Sequence, residues 1–241
     1  MPDLPIKSIW RILKGMPNVG SHAQNLDIFY RPQIAGYDAL RKRLLHGRKT
    51  LVDWLEPSEG ARVVEIGAGT GAMIEFWGNR INRFSKFYLV DLCPAMLEMA
   101  RSRSRHIPQI EVVECDATQF QLIEPVDIVY FSYSLTMIPD WEKALNQAMT
   151  LLKPGGKLGI VDFYISEKKA ASNHIQHSAF TRWFWSHWFS HDQVHLSADH
   201  LPKLHILTQP LKITESWGPL PWLPLIHAPF YIYMGQKSDA V

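Results

Sequence analysis

Short runs of β-branched and aromatic residues alternate with helical patterns through the middle of the chain. Helices are expected from about residue 71, over Pro94 to Ser104, and over Trp141 to Leu152. Apolar runs typical of strands cover residues 62–66, 86–90, 110–114, 126–131 and 157–162. This order predicts an α/β fold, a doubly wound, Rossmann-like and mostly parallel sheet with helices on both faces.

The flanks of this core extend the same fold. Strand patterns at Leu211 to Glu215 and Phe230 to Met234 complete a seven-stranded sheet, and residues 165–205 form an insertion before this last hairpin. Ahead of the core, a helical stretch runs from Tyr37 to Leu55 as an N-terminal helical extension. The chain is predicted to be one domain, made of a helical region over 1–56, a core over 60–165, the insertion over 165–205 and C-terminal strands over 206–241.

A short basic amphipathic helix is expected near the N-terminus. Apolar residues recur there at helical spacing, and Lys7, Arg11 and Lys14 lie between them. Such a helix either packs on its own domain or lies on an anionic membrane.

A glycine-rich turn joins the first strand to the helix that follows it. Gly67, Ala68 and Gly69 come directly after the β-branched strand that ends in Glu65 and Ile66. Glycine permits a sharp turn and close contact between backbone and ligand, and the following helix presents free N–H groups. The turn therefore predicts a nucleotide-cofactor loop, although its glycine spacing also satisfies the dinucleotide fingerprint of dehydrogenases.

Two acidic residues next to this loop narrow the choice of cofactor. Asp91 ends the second strand, 20 residues beyond Gly71, where a carboxylate can accept both hydroxyls of a ribose. Glu65 would repel a pyrophosphate but would attract a cationic amino acid. The pair favours S-adenosyl-L-methionine, whose product is S-adenosyl-L-homocysteine, over NAD.

Two later signals agree with this cofactor. After the third strand, Asp116 is placed to accept the adenine amino group while the N–H of Ala117 reaches a ring nitrogen, although Asp116 suits a helix cap or turn equally well. Residues 153–156 form a helix stop and tight turn before the fifth strand. Taken in order, these signals resemble the class I S-adenosylmethionine-dependent methyltransferases over residues 60–165. The resemblance adds Leu92 and Met96 to the expected cofactor residues.

Two further stretches carry a narrower resemblance. They are Tyr37 to Arg41 followed by Gly47-Arg48, and Phe131 to Trp141. Together they resemble the betaine-lipid N-methyltransferases, which convert diacylglyceryl-homoserine to its trimethylated form. The resemblance implies that Tyr37 and Arg48 fold over the cofactor, with Arg48 forked onto its carboxylate. Without the family, a packed helical tyrosine and a surface arginine are equally good interpretations.

The carboxyl end of the fourth strand is the expected methyl-transfer face, because open α/β sheets bind ligands where the strand order switches. Ser132 and Tyr133 are expected to contact the cofactor there, and Ser134 the acceptor. Transfer to an amine requires mainly alignment, so a dedicated base is optional. Aromatic rings suit the cationic product, which makes Tyr37 and Tyr133 the predicted catalytic residues.

The insertion has an unusual composition. Seven of the eleven histidines lie between His174 and His205, and residues 183–189 contain five aromatic residues. Such a segment is either a buried lid core or a surface at the lipid headgroup level, and both place aromatic rings above the strand ends for an apolar acceptor. The candidate substrate contacts are His174, His177, Trp183 and Trp185.

Three histidines of the insertion recur every four residues, at His187, His191 and His195. On a helix they would share one face and could bind a metal ion. No acidic or cysteine ligand joins them and methyl transfer needs no metal, so no metal site is expected.

Composition limits the remaining classes of function. A net charge of +2 without a long block of like charges argues against nucleic acid, and two cysteines suit a reducing cytosol. The N-terminus lacks the uninterrupted apolar core of a signal peptide, and the uncharged run from Trp217 to Met234 contains four prolines. We expect a cytoplasmic protein, with contact to the inner face of the membrane left open. Two alternatives to lipid methylation stand: a soluble small-molecule acceptor, and a noncatalytic cofactor-binding module paired with an enzyme.

Overall fold

One seven-stranded sheet organises the chain in the computed structural model, which describes residues 20–31, 38, 41–170, 174–191, 193–221 and 223–238. The basic helix predicted near the N-terminus lies outside the described residues, and so does Tyr37.

The sheet has the predicted architecture. Its strands are β1 Ala61–Ile66, β2 Phe84–Asp91, β3 Ile110–Glu114, β4 Val126–Ser132, β5 Leu152–Phe163, β6 Gln209–Leu220 and β7 Leu223–Gln236. They lie in the order β3-β2-β1-β4-β5-β7-β6. Strands β1 to β5 are parallel, whereas β7 is antiparallel to both β5 and β6. The predicted doubly wound, mostly parallel sheet is therefore confirmed.

Helices lie on both faces of this sheet. They are α1 His22–Tyr30, α2 Arg48–Leu55, α3 Met73–Trp77, α4 Pro94–Ser104, α5 Trp141–Leu151, α6 Ala179–Ser190 and α7 His200–Leu207, with short 3-10 helices at Gly78–Arg83 and Leu135–Met137. Within the described part of the chain, no helix combines the length and the hydropathy that crossing a bilayer requires.

The continuous helix predicted from Tyr37 to Leu55 is wrong. Residues 41–44 are helical, but the chain leaves the helix before α2 begins at Arg48. Gly47 has a φ of 77°, in the left-handed region, and a Cβ there would lie 2.8 Å from the side chain of Ile232 and 2.9 Å from that of Phe230. The close approach of β7 and the turn at Gly47 therefore break the predicted helix in two.

Alternating strand residues fill two cores. Val63, Phe87 and Tyr130 face one side of the sheet, where they pack with α2, α3 and α6. Their neighbours Val64 and Tyr88 face the other side, where α5 and α7 pack. Burial on both faces explains why the parallel strands read as nearly continuous apolar runs in the sequence.

The strand order reverses between β1 and β4, and the loops that follow the parallel strands meet at the carboxyl edge of the sheet. In doubly wound folds this switch point opens a crevice that binds ligands. The glycine turn after β1, the end of β2 and the loop after β4 all reach it.

Candidate cofactor and acceptor site

The glycine turn after β1 is shaped by left-handed backbone. Gly67, Gly69 and Gly71 have φ values of 72°, 54° and 70°. A Cβ on Gly67 would lie 2.3 Å from Cβ of Ser134, so only glycine lets the loop after β4 approach. A Cβ on Gly69 would meet no atom within 4 Å, which leaves open space above the turn. Ala68 is buried, and its N–H donates to the carbonyl of Val90 at 3.0 Å.

Asp91 ties the glycine turn to the end of β2. One carboxylate oxygen accepts from the N–H of Gly69 at 2.7 Å and the other from the N–H of Cys93 at 2.8 Å. These bonds orient the carboxylate at the position where doubly wound folds hold a ribose.

A cleft with a volume of about 250 Å³ runs along this edge. Among its lining residues are nine that the sequence predicted: Gly67, Gly69, Asp91, Leu92, Met96, Asp116, Ala117, Tyr133 and Ser134. Residues from four separate segments therefore meet at one crevice.

Asp116 has the turn role that the sequence left open. Its side-chain oxygen accepts from the N–H of Thr118 at 2.7 Å and from the Thr118 hydroxyl at 2.8 Å. It also lines the cleft, so capping the turn and facing a ligand are compatible here.

Tyr133 is held from both ends. Its φ of 56° is in the left-handed region, and its N–H donates to the carbonyl of Val161 at 2.8 Å. The phenolic hydroxyl donates to the carbonyl of His46 at 2.8 Å, and the ring packs edge-on against Phe163 at 4.7 Å. Burial raises the pKa of Tyr133 well above its usual value. The hydroxyl thus anchors the ring, and Tyr133 is one of the residues that line the cleft.

The turn after Tyr133 is fixed by a carboxyl that the sequence reading did not single out. Asp162, which is fully buried, accepts from the hydroxyl of Thr136 at 2.8 Å and from its N–H at 3.2 Å. Burial raises the pKa of Asp162 to about 7. Ser134 adds a hydroxyl bond of 2.6 Å to the carbonyl of Ile66. Together these bonds hold the 3-10 helix Leu135–Met137 against the cleft.

Glu65 lies behind the glycine turn and does not line the cleft. It is 1% exposed, and its carboxyl accepts from the hydroxyl of Tyr130 at 2.9 Å, which in turn accepts from Nε1 of Trp77 at 3.0 Å. Burial raises the pKa of Glu65 to about 8, and nearby Arg48 only partly offsets this. The electrostatic role predicted for Glu65 requires its ionised form, which this environment disfavours.

Arg48 and Ser132 also lie outside the cleft lining. The Arg48 guanidinium donates to the carbonyls of Leu45 and Arg41 at 3.3 and 3.2 Å and covers the Phe76 ring at 4.9 Å. Because Arg48 is only 6% exposed, its interpretation as a surface arginine is wrong. The Ser132 hydroxyl contacts the sulfur of Met73 at 3.4 Å.

Helix α1 covers the cleft, and sequence reasoning missed it. Leu26 and Tyr30 line the cleft, and the Tyr30 hydroxyl contacts the sulfur of Met137 at 3.3 Å. The available signal was the capping box of Ser21 and Gln24 at the start of α1, ahead of apolar residues at helical spacing.

The four substrate contacts predicted in the insertion do not line the cleft that Ser134 lines. His174 lines a second cleft of about 190 Å³, where its Nδ1 lies 2.9 Å from a carboxylate oxygen of Glu215. His177 is buried, and its Nδ1 accepts from the N–H of Ser166 at 3.0 Å. Trp183 is on the surface, whereas Trp185 is buried. Only Ser134 among the predicted acceptor contacts lines the main cleft.

The metal arrangement considered for the insertion does not form. Helix α6 ends at Ser190, so His191 and His195 lie beyond the helix that carries His187. Among the described residues, no three acidic, cysteine or histidine side chains are grouped to hold a metal ion.

Comparison with known proteins identifies relatives of this chain. A family model described as a methyltransferase domain matches residues 64–160. A 2-phytyl-1,4-naphtoquinone methyltransferase of Thermosynechococcus vestitus is 32% identical over 161 residues, covering 63% of this chain and 68% of the relative. A ubiquinone/menaquinone biosynthesis C-methyltransferase of Idiomarina loihiensis is 26% identical over 138 residues, 54% of this chain and 55% of the relative. The match thus spans about half of this second relative.

A solved structure shares the fold at low sequence identity. Phosphoethanolamine N-methyltransferase 2 of Haemonchus contortus, in complex with S-adenosyl-L-methionine, superposes with a TM-score of 0.70 at 16% identity. The superposition covers 92% of this chain and 61% of that protein. At this identity the likeness concerns the fold alone.

Proposed function

Because this chain belongs to the class I S-adenosylmethionine-dependent methyltransferases, we propose that it methylates the amino group of diacylglyceryl-homoserine to give the trimethylated betaine lipid. The cofactor follows from the family, and the acceptor is the proposal. The observation that carries it is the predominantly apolar lining of the cleft, which includes Leu26, Met137, Ile138 and Pro139.

The cleft fits S-adenosyl-L-methionine, which supplies an electrophilic methyl group when bound. Asp91 would hold the ribose hydroxyls, since hydrogen bonds from Gly69 and Cys93 already orient its carboxylate. The space above Gly69 admits a ligand next to the backbone. Asp116 and Ala117 would hold the adenine next to Asp91, since β3 lies beside β2 and the N–H of Cys115 donates to the Asp91 carbonyl at 3.0 Å.

The opposite wall of the cleft suits the apolar part of a lipid. Met137, Ile138 and Pro139 line it, and Leu26 of α1 closes it from above. Tyr133, which also lines the cleft, packs edge-on against the buried ring of Phe163 at 4.7 Å, and Phe163 contacts Phe189 of α6 at 4.5 Å. An acceptor with acyl chains gains free energy when its apolar surface is buried against this lining, whereas a small polar acceptor has no apolar surface to bury there.

The chemistry asks little of the protein beyond position and burial. An attacking amine must be neutral, and removal from water lowers its pKa. The Tyr133 ring offers a π face to the quaternary ammonium of the product, an interaction of about 0.5 to 2 kcal/mol. Its hydroxyl is already bonded to the carbonyl of His46, so we assign the ring rather than the phenol to this role.

A second acceptor is favoured by a specific observation. The relatives from Thermosynechococcus vestitus and Idiomarina loihiensis are named as methyltransferases of quinone metabolism. A hydroquinone with an isoprenoid tail would also use the apolar wall, but its ring carbon needs a deprotonated phenol to become nucleophilic. Such a reaction needs a base that deprotonates the phenol in place, whereas the protons that the amine loses between successive methylations can pass to water.

The test offers both acceptors to the purified chain with S-adenosyl-L-methionine. Mixed micelles carrying diacylglyceryl-homoserine should give mono-, di- and trimethylated lipid by mass spectrometry. Methylation of a prenylated hydroquinone alone would transfer the assignment to the second candidate. Methylation of a soluble amine alone would reject a lipid acceptor. If S-adenosyl-L-homocysteine binds by calorimetry but none of the three is methylated, the noncatalytic module is favoured.

Two substitutions of Tyr133 separate its ring from its hydroxyl. Tyr133→Phe keeps the π face, so it should still complete all three methylations. Tyr133→Leu removes that face, and we expect mono- and dimethylated lipid to accumulate, with trimethylation slowed about tenfold because one cation–π contact is worth roughly 1 to 2 kcal/mol. Equal product distributions from the two variants would contradict a role for the ring.

A further inference from the structure

Helix α6 is apolar on two faces. On its inner face, Trp185 and Phe189 are 3% and 6% exposed, and Phe189 packs on Phe163 at 4.5 Å. Surface helices of globular proteins normally pair such an apolar face with a polar one. In α6 the opposite face is aromatic as well.

The outer face of α6 carries large exposed rings. Phe180 is 68% exposed, Trp183 63% and Trp188 44%. These residues lie on one side of the helix at helical spacing, and Trp183 stacks on His187 at 6.0 Å. Exposed apolar patches of this kind mark interaction surfaces.

The hairpin between β6 and β7 extends this apolar surface. Leu223 is 45% exposed and Leu225 93%. The hairpin is joined to α6 through His177, whose ring lies 4.9 Å from that of Trp217 and whose carbonyl accepts from Arg182 of α6 at 2.7 Å. The two elements therefore present their exposed apolar residues from adjoining positions.

Basic residues outnumber acidic ones next to this surface. Neither residues 179–190 nor residues 216–230 contain an aspartate or glutamate. Arg182 lies within α6, and the exposed Lys168 and Lys169 lie in the segment that leads to it, beside the exposed Glu167. Over residues 167–192, three basic residues therefore stand against two acidic ones, Glu167 and Asp192. Exposed aromatic rings with an excess of cations are the combination that binds the headgroup region of anionic bilayers.

We propose that Phe180, Trp183, Trp188, Leu223 and Leu225 form a membrane-docking surface that rests in the headgroup region of an anionic phospholipid bilayer. This inference rests on the proposed function, because it places the cleft of a lipid-methylating enzyme beside its acceptor. Helix α6, which carries three residues of this surface, packs through Phe189 on Phe163, and Phe163 contacts Tyr133 of the cleft.

The experiment is flotation of the full chain with vesicles of phosphatidylcholine alone or mixed with phosphatidylglycerol, both without acceptor lipid. We expect the chain to float with the anionic vesicles and to bind the neutral ones less. Trp183→Glu and Leu225→Glu should each lower the bound fraction at least about tenfold, because each removes a large apolar side chain and adds a repelled charge.

Ile123→Glu is the matched control. Ile123 is fully exposed in the loop before β4, at the amino edge of the sheet and far from the docking surface, so its change should leave flotation as in the unaltered chain. Thermal unfolding checks that all three variants are folded. Flotation of Trp183→Glu equal to that of Ile123→Glu, or no flotation of the unaltered chain, would overturn the proposal.

Two further measurements separate this inference from the acceptor assignment. Leu225→Glu should methylate diacylglyceryl-homoserine in detergent micelles as fast as the unaltered chain does, because Leu225 is 93% exposed and does not line the cleft. If the chain binds vesicles but methylates no lipid in micelles, the acceptor assignment is rejected and the docking surface is supported. If it methylates the lipid in micelles but binds no vesicles, the docking surface is rejected and the acceptor assignment is supported. If sedimentation shows a dimer that Trp183→Glu converts to a monomer, a second copy covers this face and the docking proposal fails.

Discussion

Tyr133 has a backbone conformation that is uncommon for a large side chain. A φ of 56° on a non-glycine residue costs on the order of 1 to 3 kcal/mol, so the surroundings must hold it there. Bonds to the carbonyls of Val161 and His46 do so from either end. Local strain of this kind often accompanies a functional position, which agrees with the place of Tyr133 in the cleft.

Gly67 gives the sharpest prediction at the scale of single residues. We expect Gly67→Ala to abolish measurable binding of S-adenosyl-L-homocysteine, because the new Cβ would lie 2.3 Å from Cβ of Ser134 and force the turn away from its present path. Isothermal calorimetry measures the loss of binding.

Gly60→Ala is the control for Gly67→Ala, since Gly60 has a φ of 76° but nothing within 4 Å of its added Cβ. That variant should lose about 1 kcal/mol of stability from backbone strain alone and still bind. Equal affinities of the two variants would contradict this account.

The sequence predicted some of these residues better than others. The carboxyl ends of the parallel strands lie at one edge of a doubly wound sheet, so residues at or just after these ends have a predictable place. This applies to Asp91, Asp116 and the glycines of the turn after β1. Glu65 also ends a strand, but its side chain points beneath the turn into the contact with Tyr130, and a sequence does not state which way a terminal side chain points. Trp183 and Trp185 are two residues apart on α6, yet one is exposed and the other buried.

At the scale of elements, the docking of α1 depends on one aspartate. Asp27 accepts from the N–H of Ala95 at 3.0 Å, at the first turn of α4, and it also forms an ion pair with Arg31. A carboxylate is favourable at a helix N-terminus, where the first N–H groups lack partners within the helix. Through this contact α1 is held over the cleft.

We therefore expect Asp27→Ala to weaken binding of S-adenosyl-L-homocysteine by about tenfold, because loss of a charge-assisted hydrogen bond of roughly 1.5 to 3 kcal/mol loosens α1. Hydrogen exchange should become faster at the Ala95 amide. Arg31→Ala is the matched control. It removes the ion pair but leaves the bond to Ala95, and Arg31 is 54% exposed, so the change should be within a few tenths of a kcal/mol. An equal effect of the two substitutions would show that the ion pair, rather than the helix contact, holds α1.

The strands of the sheet and the helices between the parallel strands were predictable, whereas α1, α6, α7 and the irregular segments were not. The strands of the parallel sheet are buried on both faces, so their apolar runs stand out in the sequence. The break before α2 arises because β7 packs against Gly47, a contact between residues far apart in the chain. Strand β5 begins at Leu152, and its register with β4 shifts between Val126 and Ile128, so the turn predicted at 153–156 lies within the strand as an irregularity.

At the scale of the whole molecule, two buried carboxyls make stability depend on pH. Glu65 and Asp162 have pKa values of about 8 and about 7, above ordinary values of 4.5 and 3.8. Between those limits the folded chain binds more protons than the unfolded chain does, so the free energy of unfolding falls as pH rises. His177, His200 and His205 act in the opposite sense, since burial lowers their pKa values, that of His200 to about 4, and their contribution is lost as pH falls below 6.5.

Denaturant unfolding between pH 5 and pH 8 tests this balance. Above about pH 6.5, where the histidines no longer oppose the carboxyls, the unaltered chain should lose stability as pH rises, by at most about 1.4 kcal/mol per pH unit for each buried carboxyl. Glu65→Gln removes one of these groups and keeps an acceptor for Tyr130, so its stability should vary less with pH. Glu59→Gln changes an exposed carboxyl in the turn before β1 and controls for the lost charge. Parallel curves of stability against pH for the two variants would contradict the assignment to Glu65.

The division into one domain with a cap insertion stays a prediction, which a single cooperative transition in the same unfolding experiment would support.

The contact between Gly67 and Ser134 limits how this enzyme can diversify. The Ser134 side chain fills the space next to Gly67. A bulkier residue at position 134 would therefore collide with the glycine turn before it contacted any substrate. Under the proposed function, libraries intended to broaden acceptor choice should therefore leave Ser134 unchanged and vary Ile138 and Pro139, which also line the cleft.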